Sequence, residues 1–412
     1  ARILRAHYYL QLIKRYGPMP YLDEHNFEDY DFSSIERPTF YSNVESIIKD
    51  CRDAIAIGGD KLPWRVSIPS DNGRATKAMA YAVMSQAILY AASPLWNDGV
   101  NHWAEAAVIT KEAMDALEAA NFKLMDQSAN PGDWHSVYQE YFMTQAELDG
   151  SAIYDKETIY SQLYELNLWG TYGVPIATGA TRAEISPSQE LVDAYDTADG
   201  IPVLDLSQPY TDSDHLQPNY NSANSMYDQG NPYINRDPRL LSSIICNGDF
   251  FNIKEKTSPV ETFVGGNSGI STNNIRYTRT GYYIRKYIHY LSSSSANNDG
   301  YWKPYRMAEI YLNYAEAEFY ANGVTEAAVS ALNKTRERAF DPQYHATALI
   351  QSSIPPTQFV QRLRNERRVE FAFEELRYFD LRRWKVQDKY EGIVTGMSIT
   401  QRGGALTYER KV

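Results

Sequence analysis

The sequence predicts a mainly α-helical single domain, built from antiparallel helix pairs and carrying long loops and a few short strands. Three observations support this fold class. Apolar residues recur at spacings of three and four in several stretches. Gly and Pro mark the ends of those stretches. Alanine occupies many positions that would face a neighbouring helix, which is typical of closely packed helices.

The clearest helix pair lies between residues 305 and 340. Its first helix carries an apolar stripe formed by Met307, Ile310, Tyr311, Tyr314, Ala317 and Ala321. Gly323 ends this helix, because glycine accepts the left-handed backbone of a helix exit. Thr325 is placed to cap the next helix, whose stripe of mostly small residues comprises Ala328, Leu332, Thr335 and Ala339. Small facing residues let antiparallel helices approach closely, so the pattern predicts tetratricopeptide-like packing.

Apolar spacing predicts six further helices. They cover residues 3–16, 43–57, 73–92, 103–120, 188–195 and 357–379. Gly17, the glycine pair at 58–59 and Pro94 end the first three of them. We therefore expect a helical scaffold that consists mainly of residues 1–125 and 305–385.

Residues 134–304 depart from the helical pattern. Two segments rich in Ile and Tyr, at 159–166 and 282–290, are predicted to be short strands. Long polar segments lie around them at 207–235, 265–274 and 292–300. Loops of this length in a compact protein are usually functional or disordered. We expect residues 134–304 to be the loop-rich ligand region of the domain.

Composition limits the class of protein. With 43% apolar and 22% charged residues, the chain fits a folded globular protein and not a disordered one. It has no apolar run long enough to form a transmembrane helix. Its net charge of −12 argues against a nucleic-acid partner, because phosphate binding relies on an excess of Lys and Arg.

The cysteines and the aromatic residues are informative about disulfides and about surface type. Cys51 and Cys246 form no metal-binding or redox motif; they allow either a disulfide or two buried thiols, and we favour thiols. The chain has 33 tyrosines and seven tryptophans, and such rings suit partly wet surfaces, including those that bind sugars. Most of these rings must nevertheless be core and helix contacts.

The last predicted helix repels itself. Glu366, Glu370 and Glu374 repeat at a spacing of four, and so do Arg364 and Arg368. Partners for the glutamates must therefore come from other helices, and the candidates are Arg306, Arg377 and Arg382. The glutamates lack the Glu-x-x-His companions of a di-iron site, so we interpret them as a structural ion network.

Six motifs occur in one order along nearly the whole chain. They are R-A-H-Y-Y-L-Q-L-I-K-R-Y-G-P-M-P at 5–20, A-A-S-P-L-W-N at 91–97, S-P-S-Q-E-L-V-D-A-Y at 186–195, R-D-P-R-L at 236–240, R-M-A-E-I-Y-L-N-Y-A-E-A at 306–317 and E-R-R-V-E-F-A-F-E-E-L-R-Y-F-D-L-R-R-W at 366–384. One such motif would be a weak signal, whereas six in sequence are a strong one. With these motifs the sequence resembles the SusD/RagB family.

The resemblance implies a non-catalytic binding protein anchored by a lipid at the surface of the outer membrane of a Bacteroidota cell. It implies capture of glycans, which are oligosaccharides or polysaccharides, and their delivery to a SusC-like TonB-dependent transporter. The family normally has a long segment before the R-A-H-Y-Y-like helix, including the signal peptide and the lipidated Cys. We therefore expect residues 1–412 to be a single SusD-like domain that lacks the amino-terminal part, with membrane attachment through that missing segment.

Trp169 and Tyr172 are the first candidate ligand-binding residues. They flank Gly170 in a short loop after a predicted strand, where two rings on a rigid scaffold would form a platform for stacking against a sugar. The alternative is that Trp169 fills the underside of its own loop. In the family, ligand aromatics often come from this loop and from the segment before the S-P-S-Q-E-L stretch. Arg182 stands in that second segment here.

Two further groups are candidates. Trp96 and Asn97 lie at the mouth of a helix pair, although packing between helices is the favoured interpretation there. The third group comprises Tyr301 and Trp302 together with Asn298 and Asp299. The remaining tryptophans that we assign to the core are Trp103, Trp134 and Trp384.

Enzyme motifs are missing from the sequence. It contains no H-E-x-x-H, G-x-S-x-G, P-loop or G-x-G-x-x-G, and we expect no cofactor and no metal. Carboxylates that are paired only in space leave a helical glycoside hydrolase as a second hypothesis. Binding of a peptide in the same uptake system is a third, and an intracellular helical-repeat scaffold is a fourth.

Overall fold

The computed structural model describes residues 1–22, 33, 36–66, 71, 73–143, 155–162, 166–180, 182–389 and 393–412. In its first part four helices follow one another: α1 (Arg2–Tyr16), α2 (Phe40–Gly58), α3 (Lys77–Ala92) and α4 (Trp103–Ala119). Each packs on the next, so that neighbours in sequence are neighbours in space. The predicted start of the third helix at residue 73 was too early, because the Thr76 side chain accepts a hydrogen bond from the backbone of Met79 and caps the helix there.

The predicted helix pair is confirmed as α9 (Met307–Asn322) and α10 (Glu326–Ala339). Thr325 caps α10 by accepting a hydrogen bond from the backbone N–H of Ala328 at 3.1 Å. Helix α9 also packs on α3 and α4, and nearly every residue of α3 and α9 is buried. The tetratricopeptide-like scaffold therefore closes around two central helices that are rich in alanine.

The helix predicted at 357–379 is in fact two helices. The first, α12 (Pro356–Glu370), ends ahead of α13 (Leu376–Arg383). Between them Phe373 and Glu375 adopt φ angles of 63° and 62°, the left-handed region that L-residues rarely occupy. The apolar spacing continues across this break, so the sequence pattern did not show it.

The part between the two helical blocks holds short elements. They are α5 (Val137–Met143), β1 (Thr158–Tyr160), α6 (Leu168–Thr171), α7 (Gln189–Ala194), α8 (Arg239–Ser243), β2 (Ile244–Ile245), β3 (Tyr283–Ile284) and β4 (Tyr305–Arg306); a further short helix, α11, comprises His345–Ala348. Antiparallel pairing joins β1 to β4 and β2 to β3. The two predicted strands thus exist but are shorter than predicted, because their partners are only two residues long.

A hairpin at the carboxyl end of the chain was not predicted. Strands β5 (Gly396–Arg402) and β6 (Ala405–Lys411) pair in antiparallel register, with Arg402 opposite Ala405. The two glycines between them adopt φ angles of 56° and 86°, as a tight two-residue hairpin turn requires. The Gly-Gly pair between two strand-like runs was the available signal.

Hydrophobic side chains gather in three main clusters. The largest lies among α1 to α4, α9, α10 and α12, the second surrounds α5, α6 and β3, and the third lies between α7 and the β5–β6 hairpin. Cys51 and Cys246 are both buried and free, which confirms the preference for thiols over a disulfide.

The glutamates of α12 meet cations from other elements, as predicted, but most of these cations were not foreseen. Arg306 contacts Glu370 at 2.8 Å and Glu374 at 2.7 Å, which confirms one of the three proposed partners. The other partners of the glutamates in this buried network are Arg239, Lys286, Arg336 and Arg338. Arg382 was a wrong choice for this role, because its guanidinium donates to the Tyr378 hydroxyl at 3.2 Å on the surface.

The network changes the acidity of its members. Burial by itself would raise the pKa of Glu366, but the adjacent Arg239 and Arg336 lower that pKa to about 2. The pKa of Glu370 is lowered further in the same way, because three arginines face its carboxylate. Both side chains are therefore held as carboxylates at neutral pH.

Candidate functional site

A cavity of about 400 Å³ lies where α1 meets the chain before α6, the chain before β4 and the turn between α12 and α13. We call it the α1 cavity. Its apolar and aromatic lining consists of Leu166, Leu168, Tyr172, Ile284, Tyr287, Trp302, Pro304, Phe373, Leu376 and Phe379. Its polar lining consists of His7, Gln11, Lys14, Arg15, Gln86, Gln162, Glu374 and Glu375. A pocket with aromatic walls and a few converging polar groups is the usual form of a small-molecule site.

Two half-buried rings form one side of the cavity. Tyr172 follows α6, and Trp302 lies in the extended chain before β4. The Trp302 ring packs against the buried Tyr287 ring, with centroids 5.7 Å apart and planes tilted by 40°. This contact helps to hold the Trp302 ring in place at the cavity wall.

Helix α1 supplies polar residues to the same cavity. His7, Gln11 and Lys14 are spaced by four and three residues, which places them on one face of the helix. The Lys14 amine lies 3.5 Å from the side-chain oxygen of Gln86 and 4.6 Å from the centre of the Phe379 ring. These three α1 side chains offer hydrogen-bonding groups to whatever occupies the cavity.

Burial changes the charge states on this face. It lowers the pKa of Lys14 to about 8, so the amine is mostly charged at neutral pH. Burial, together with the positive charges of Lys14 and Arg15, lowers the pKa of His7 to about 4. His7 is therefore neutral at pH 7, and its Nδ1 lies 2.8 Å from the Tyr305 hydroxyl.

Three residues that line the cavity have strained backbone. Tyr287, Phe373 and Glu375 all line it, and their φ angles are 70°, 63° and 62°. Left-handed backbone in residues with large side chains costs free energy and often marks functional sites. Within the described parts of the chain, the buried Tyr287 hydroxyl also has no hydrogen-bond partner.

Asp299 holds the loops of the cavity together. Its carboxylate accepts hydrogen bonds from the backbone N–H of Trp169 at 3.0 Å and of His289 at 3.1 Å. The Ser292 hydroxyl donates to it at 2.6 Å. One buried carboxylate thus fixes α6 against the segment that leads to Trp302, and the two cavity rings keep their positions.

Two glycines permit close backbone contacts next to the cavity. A Cβ atom at Gly300 would lie 1.8 Å from the carbonyl oxygen of Phe142. A Cβ at Gly173, whose φ is +83°, would lie 1.9 Å from the carbonyl oxygen of Arg182. Gly173 forms an isolated β-bridge with Ala183, so its role is to let these two segments meet.

The structure brings together two of the eight predicted ligand-binding residues, Tyr172 and Trp302. Trp169 is only 7% exposed and packs in the second hydrophobic cluster. This burial matches the alternative in which the indole fills the underside of its loop. A binding role for Trp169 stays a prediction, but its ring offers no open face for stacking here.

The other predicted residues lie elsewhere. Arg182 is exposed and contacts Glu184 at 3.3 Å, and Asn298 donates to the carbonyl oxygen of Leu291 at 3.2 Å. Tyr301 is half-buried beside Trp302 but is not among the described residues that line the α1 cavity.

Trp96 and Asn97 have local structural contacts. The Trp96 ring stacks on Phe40 with centroids 4.6 Å apart, as expected for packing between helices. The Asn97 side chain accepts a hydrogen bond from the backbone of Gly99 at 3.1 Å and so closes its own turn. Trp103 and Trp384 are buried, in line with their assignment to the core.

The polar face of α1 was not predicted from the sequence. Its signal was available, because His7, Gln11 and Lys14 recur at helical spacing within a helix that was otherwise assigned to the scaffold. Tyr287 and Phe373 had no comparable signal, since their place in the cavity depends on unusual backbone angles.

The described residues lack two kinds of feature. In the part of the chain that the structure covers, His, Cys, Asp and Glu side chains form no group of three or more that could hold a metal ion. None of the described helices is both long enough and apolar enough to cross a membrane.

Comparison with known proteins gives one family and several similar structures. The model of the SusD family matches residues 151–403. A SusD-like protein from Bacteroides fragilis is 24% identical, with a TM-score of 0.72; the match covers 100% of this chain and 72% of that one. A SusD-like carbohydrate binding protein from the same organism is 21% identical, with a TM-score of 0.69, and the match covers 96% of this chain and 68% of that one.

A third structure, a SusD superfamily protein from Parabacteroides distasonis, is 18% identical, with a TM-score of 0.58. The match covers 95% of this chain and 69% of that chain. A search of curated proteins found no significant match. At these identities the similar structures show the fold, and they confirm the mainly helical class.

Proposed function

Because this chain belongs to the SusD family, we propose that it binds an oligosaccharide in the α1 cavity and releases it chemically unchanged. The observation that carries the proposal is that Tyr172 and Trp302 line the same cavity as the polar residues of α1. Sugar rings combine an apolar C–H face with a rim of hydroxyl groups. They therefore fit a site in which aromatic surface and hydrogen-bonding side chains face each other.

The polar groups of the cavity suit hydroxyl ligands. Gln11 and Gln162 line it with side-chain amides, which can both donate and accept hydrogen bonds, while the buried Gln86 amide already donates to Glu309 and accepts from Lys14. Neutral His7 can do the same. Such groups recognise a neutral sugar without the cost of burying an unpaired charge.

The cavity walls are fixed before any ligand arrives. Asp299 clamps the loops, and Tyr287 supports Trp302. A preformed site loses little conformational entropy on binding, so modest contacts can give useful affinity.

The cellular role that we propose is based on membership of the family, and not on a contact seen in this structure. We propose a lipoprotein at the surface of the outer membrane that delivers its glycan to a SusC-like TonB-dependent transporter. We also propose that residues 1–412 form one domain of this type. We propose Tyr172 and Trp302 as the main glycan-binding residues. The proposal also includes secondary contributions to glycan binding from Trp169, Arg182, Tyr301, Asn298, Trp96 and Asn97.

The test is a glycan array with the full-length protein, followed by calorimetry on the best-binding oligosaccharide. We expect Trp302→Ala to weaken binding at least tenfold, or about 1.4 kcal/mol, because a large ring in a site commonly dominates affinity. Tyr172→Ala should act in the same direction.

Trp64→Ala is the matched control for this test. Trp64 is also half-buried and stacks on Tyr81 at 5.6 Å, but it is not among the described residues of the cavity lining. Unchanged affinity in both Trp302→Ala and Tyr172→Ala would move the site away from the α1 cavity. Release of reducing ends from the bound oligosaccharide would overturn the non-catalytic part of the proposal.

A further inference from the structure

A second cavity, of about 530 Å³, lies between α7, α12 and the loop at 204–215. We call it the α12 cavity. None of its lining residues lines the α1 cavity. Its walls combine carboxylates, arginines and a pair of stacked rings, so its chemistry differs from that of the first cavity.

The carboxylates of the α12 cavity already have partners within the protein. Asp193 accepts hydrogen bonds from Arg410 at 2.5 and 2.8 Å. Glu190 accepts hydrogen bonds from the hydroxyl and the backbone N–H of Thr395 at 2.6 and 3.1 Å. Asp212 accepts two hydrogen bonds from backbone amides of its own loop, at 3.0 and 2.8 Å. The charge of Asp193 is thus paired with a guanidinium group, whereas the oxygens of Glu190 and Asp212 are occupied by hydrogen bonds from neutral donors.

Two arginines of α12 differ from Arg362 and Arg367, which pair with Asp196 and Asp380. Arg364 and Arg368 are half-buried, line the cavity and lie one helical turn apart. Among the described residues, neither forms an ion pair; Arg364 stacks over the Trp384 ring at 4.9 Å and donates a long hydrogen bond to the Tyr320 hydroxyl at 3.4 Å. Like charges at this spacing repel each other, and a bound anion would relieve the repulsion.

The cavity also offers a flat aromatic surface. Tyr210 and His215 stack with ring centroids 4.3 Å apart and planes at 19°. The Tyr210 hydroxyl donates to Asp193 at 2.7 Å, which fixes the orientation of the pair. The ring surface could contact the apolar face of a sugar, and guanidinium groups that have no carboxylate partner could bind an acidic substituent on that sugar.

We propose that the α12 cavity is a second saccharide site that selects acidic sugars, through contacts of Arg364 and Arg368 with a carboxylate or sulfate group. Guanidinium groups recognise both anions through paired hydrogen bonds. This inference rests on the proposed glycan-binding function and adds the chemical class of a ligand. The net charge of −12 opposes general attraction of polyanions, so any such binding must come from these local groups.

The experiment is calorimetry of the full-length protein with three probes: an oligogalacturonate, a sulfated galactan oligosaccharide and a neutral galactan oligosaccharide of similar length. We expect at least one acidic probe to bind, more weakly as salt is raised. The double variant Arg364→Gln with Arg368→Gln should weaken that binding at least tenfold. The control removes two exposed arginines instead, in Arg276→Gln with Arg279→Gln, and should leave binding unchanged.

Each outcome separates this inference from the proposed function. If neither acidic probe binds, or if the control variant loses as much affinity as the test variant, the inference fails. If Trp302→Ala abolishes binding of the acidic probe and the α12 variant does not, the ligand lies in the α1 cavity and only this inference fails. If binding of the acidic probe depends on Arg364 and Arg368 and on neither Trp302 nor Tyr172, this inference stands; the proposed α1 site fails only if the array-selected oligosaccharide also binds without Trp302 and Tyr172. Displacement of the acidic probe by sodium sulfate alone, with no preference over the free ion, would reduce the cavity to a simple anion site and contradict saccharide selection.

Discussion

The carboxylate of Glu370 in α12 has three arginine partners. It is fully buried and contacts Arg239 at 2.8 Å, Arg306 at 2.8 Å and Arg338 at 2.5 Å. Such a cluster adds little net stability compared with apolar packing, but removing one partner leaves the others buried and uncompensated. The cluster therefore matters for stability mainly because every buried charge in it has a partner.

Glu370→Gln keeps the size of the side chain and removes its charge. We expect it to lower the free energy of unfolding by about 3–5 kcal/mol, because three buried guanidinium groups lose a counter-charge. Urea unfolding monitored by tryptophan fluorescence measures the change. Glu409→Gln is the control, since Glu409 also pairs with a cation, Lys411 at 3.2 Å, but its side chain is 66% exposed. That control should change stability by less than about 1 kcal/mol, and an equal loss in both variants would contradict the argument.

At the scale of elements, the loop after α6 depends on one glycine. Gly173 combines a φ of +83° with a backbone neighbour that leaves no room for a Cβ, while Gly179, six positions along the chain, has a φ of +88° and open space around it. Both positions have a left-handed backbone, but only at Gly173 would a Cβ atom collide with a neighbouring segment. Comparing them isolates the cost of separating the Gly173 and Ala183 segments.

Gly173→Ala should lower both stability and glycan affinity, because the segments must move apart and Tyr172 is the preceding residue. Gly179→Ala should cost about 1 kcal/mol from backbone strain alone and should leave affinity unchanged. Urea unfolding and calorimetry with the array-selected oligosaccharide measure the two effects. Equal effects of the two substitutions would show that the close contact with the Arg182 carbonyl is not what constrains the loop.

The elements also show where local pattern is reliable. The α9–α10 pair was predicted because its turn, its cap and its apolar stripes all depend on residues that are close together in sequence, including Gly323 and Thr325. The division of α12 from α13 was not predicted, because it depends on left-handed backbone at Phe373 and Glu375, which no local rule favours for these side chains. Strand lengths were overestimated because strand partners come from distant parts of the chain.

At the scale of the whole molecule, the ion network joins the scaffold to the loop-rich region. Glu366, Glu370 and Glu374 belong to α12 or directly follow it, while Arg239 and Lys286 come from the region between the helical blocks. Arg336 and Arg338 add contacts from α10. The network therefore ties together parts of the fold whose hydrophobic clusters are separate, and we expect them to unfold together.

This arrangement predicts loss of stability in acid. The pKa of Glu366 falls from 4.5 to about 2 in the folded protein, so in that range the unfolded chain binds more protons than the folded one. Stability from this group is complete above about pH 4.5 and is lost as the pH falls toward 2. The lowered pKa values of Glu370 and Asp380 act in the same direction. Urea midpoints should change little between pH 6 and about pH 4.5 and should fall between pH 4.5 and pH 3. A midpoint that does not fall below pH 4.5 would contradict the prediction.

By itself, the sequence determined the helical scaffold, the family and the type of chemistry expected, because helix periodicity, caps and motifs are properties of neighbouring residues. It also singled out two rings, Tyr172 and Trp302, that line the α1 cavity. Only the tertiary structure decided that Trp169 is buried, that α1 contributes a polar face to the same cavity, and that a second cavity exists beside Arg368. The physical reason is that a cavity forms where segments far apart in sequence meet, and the open or buried side of a ring depends on what the other segments cover.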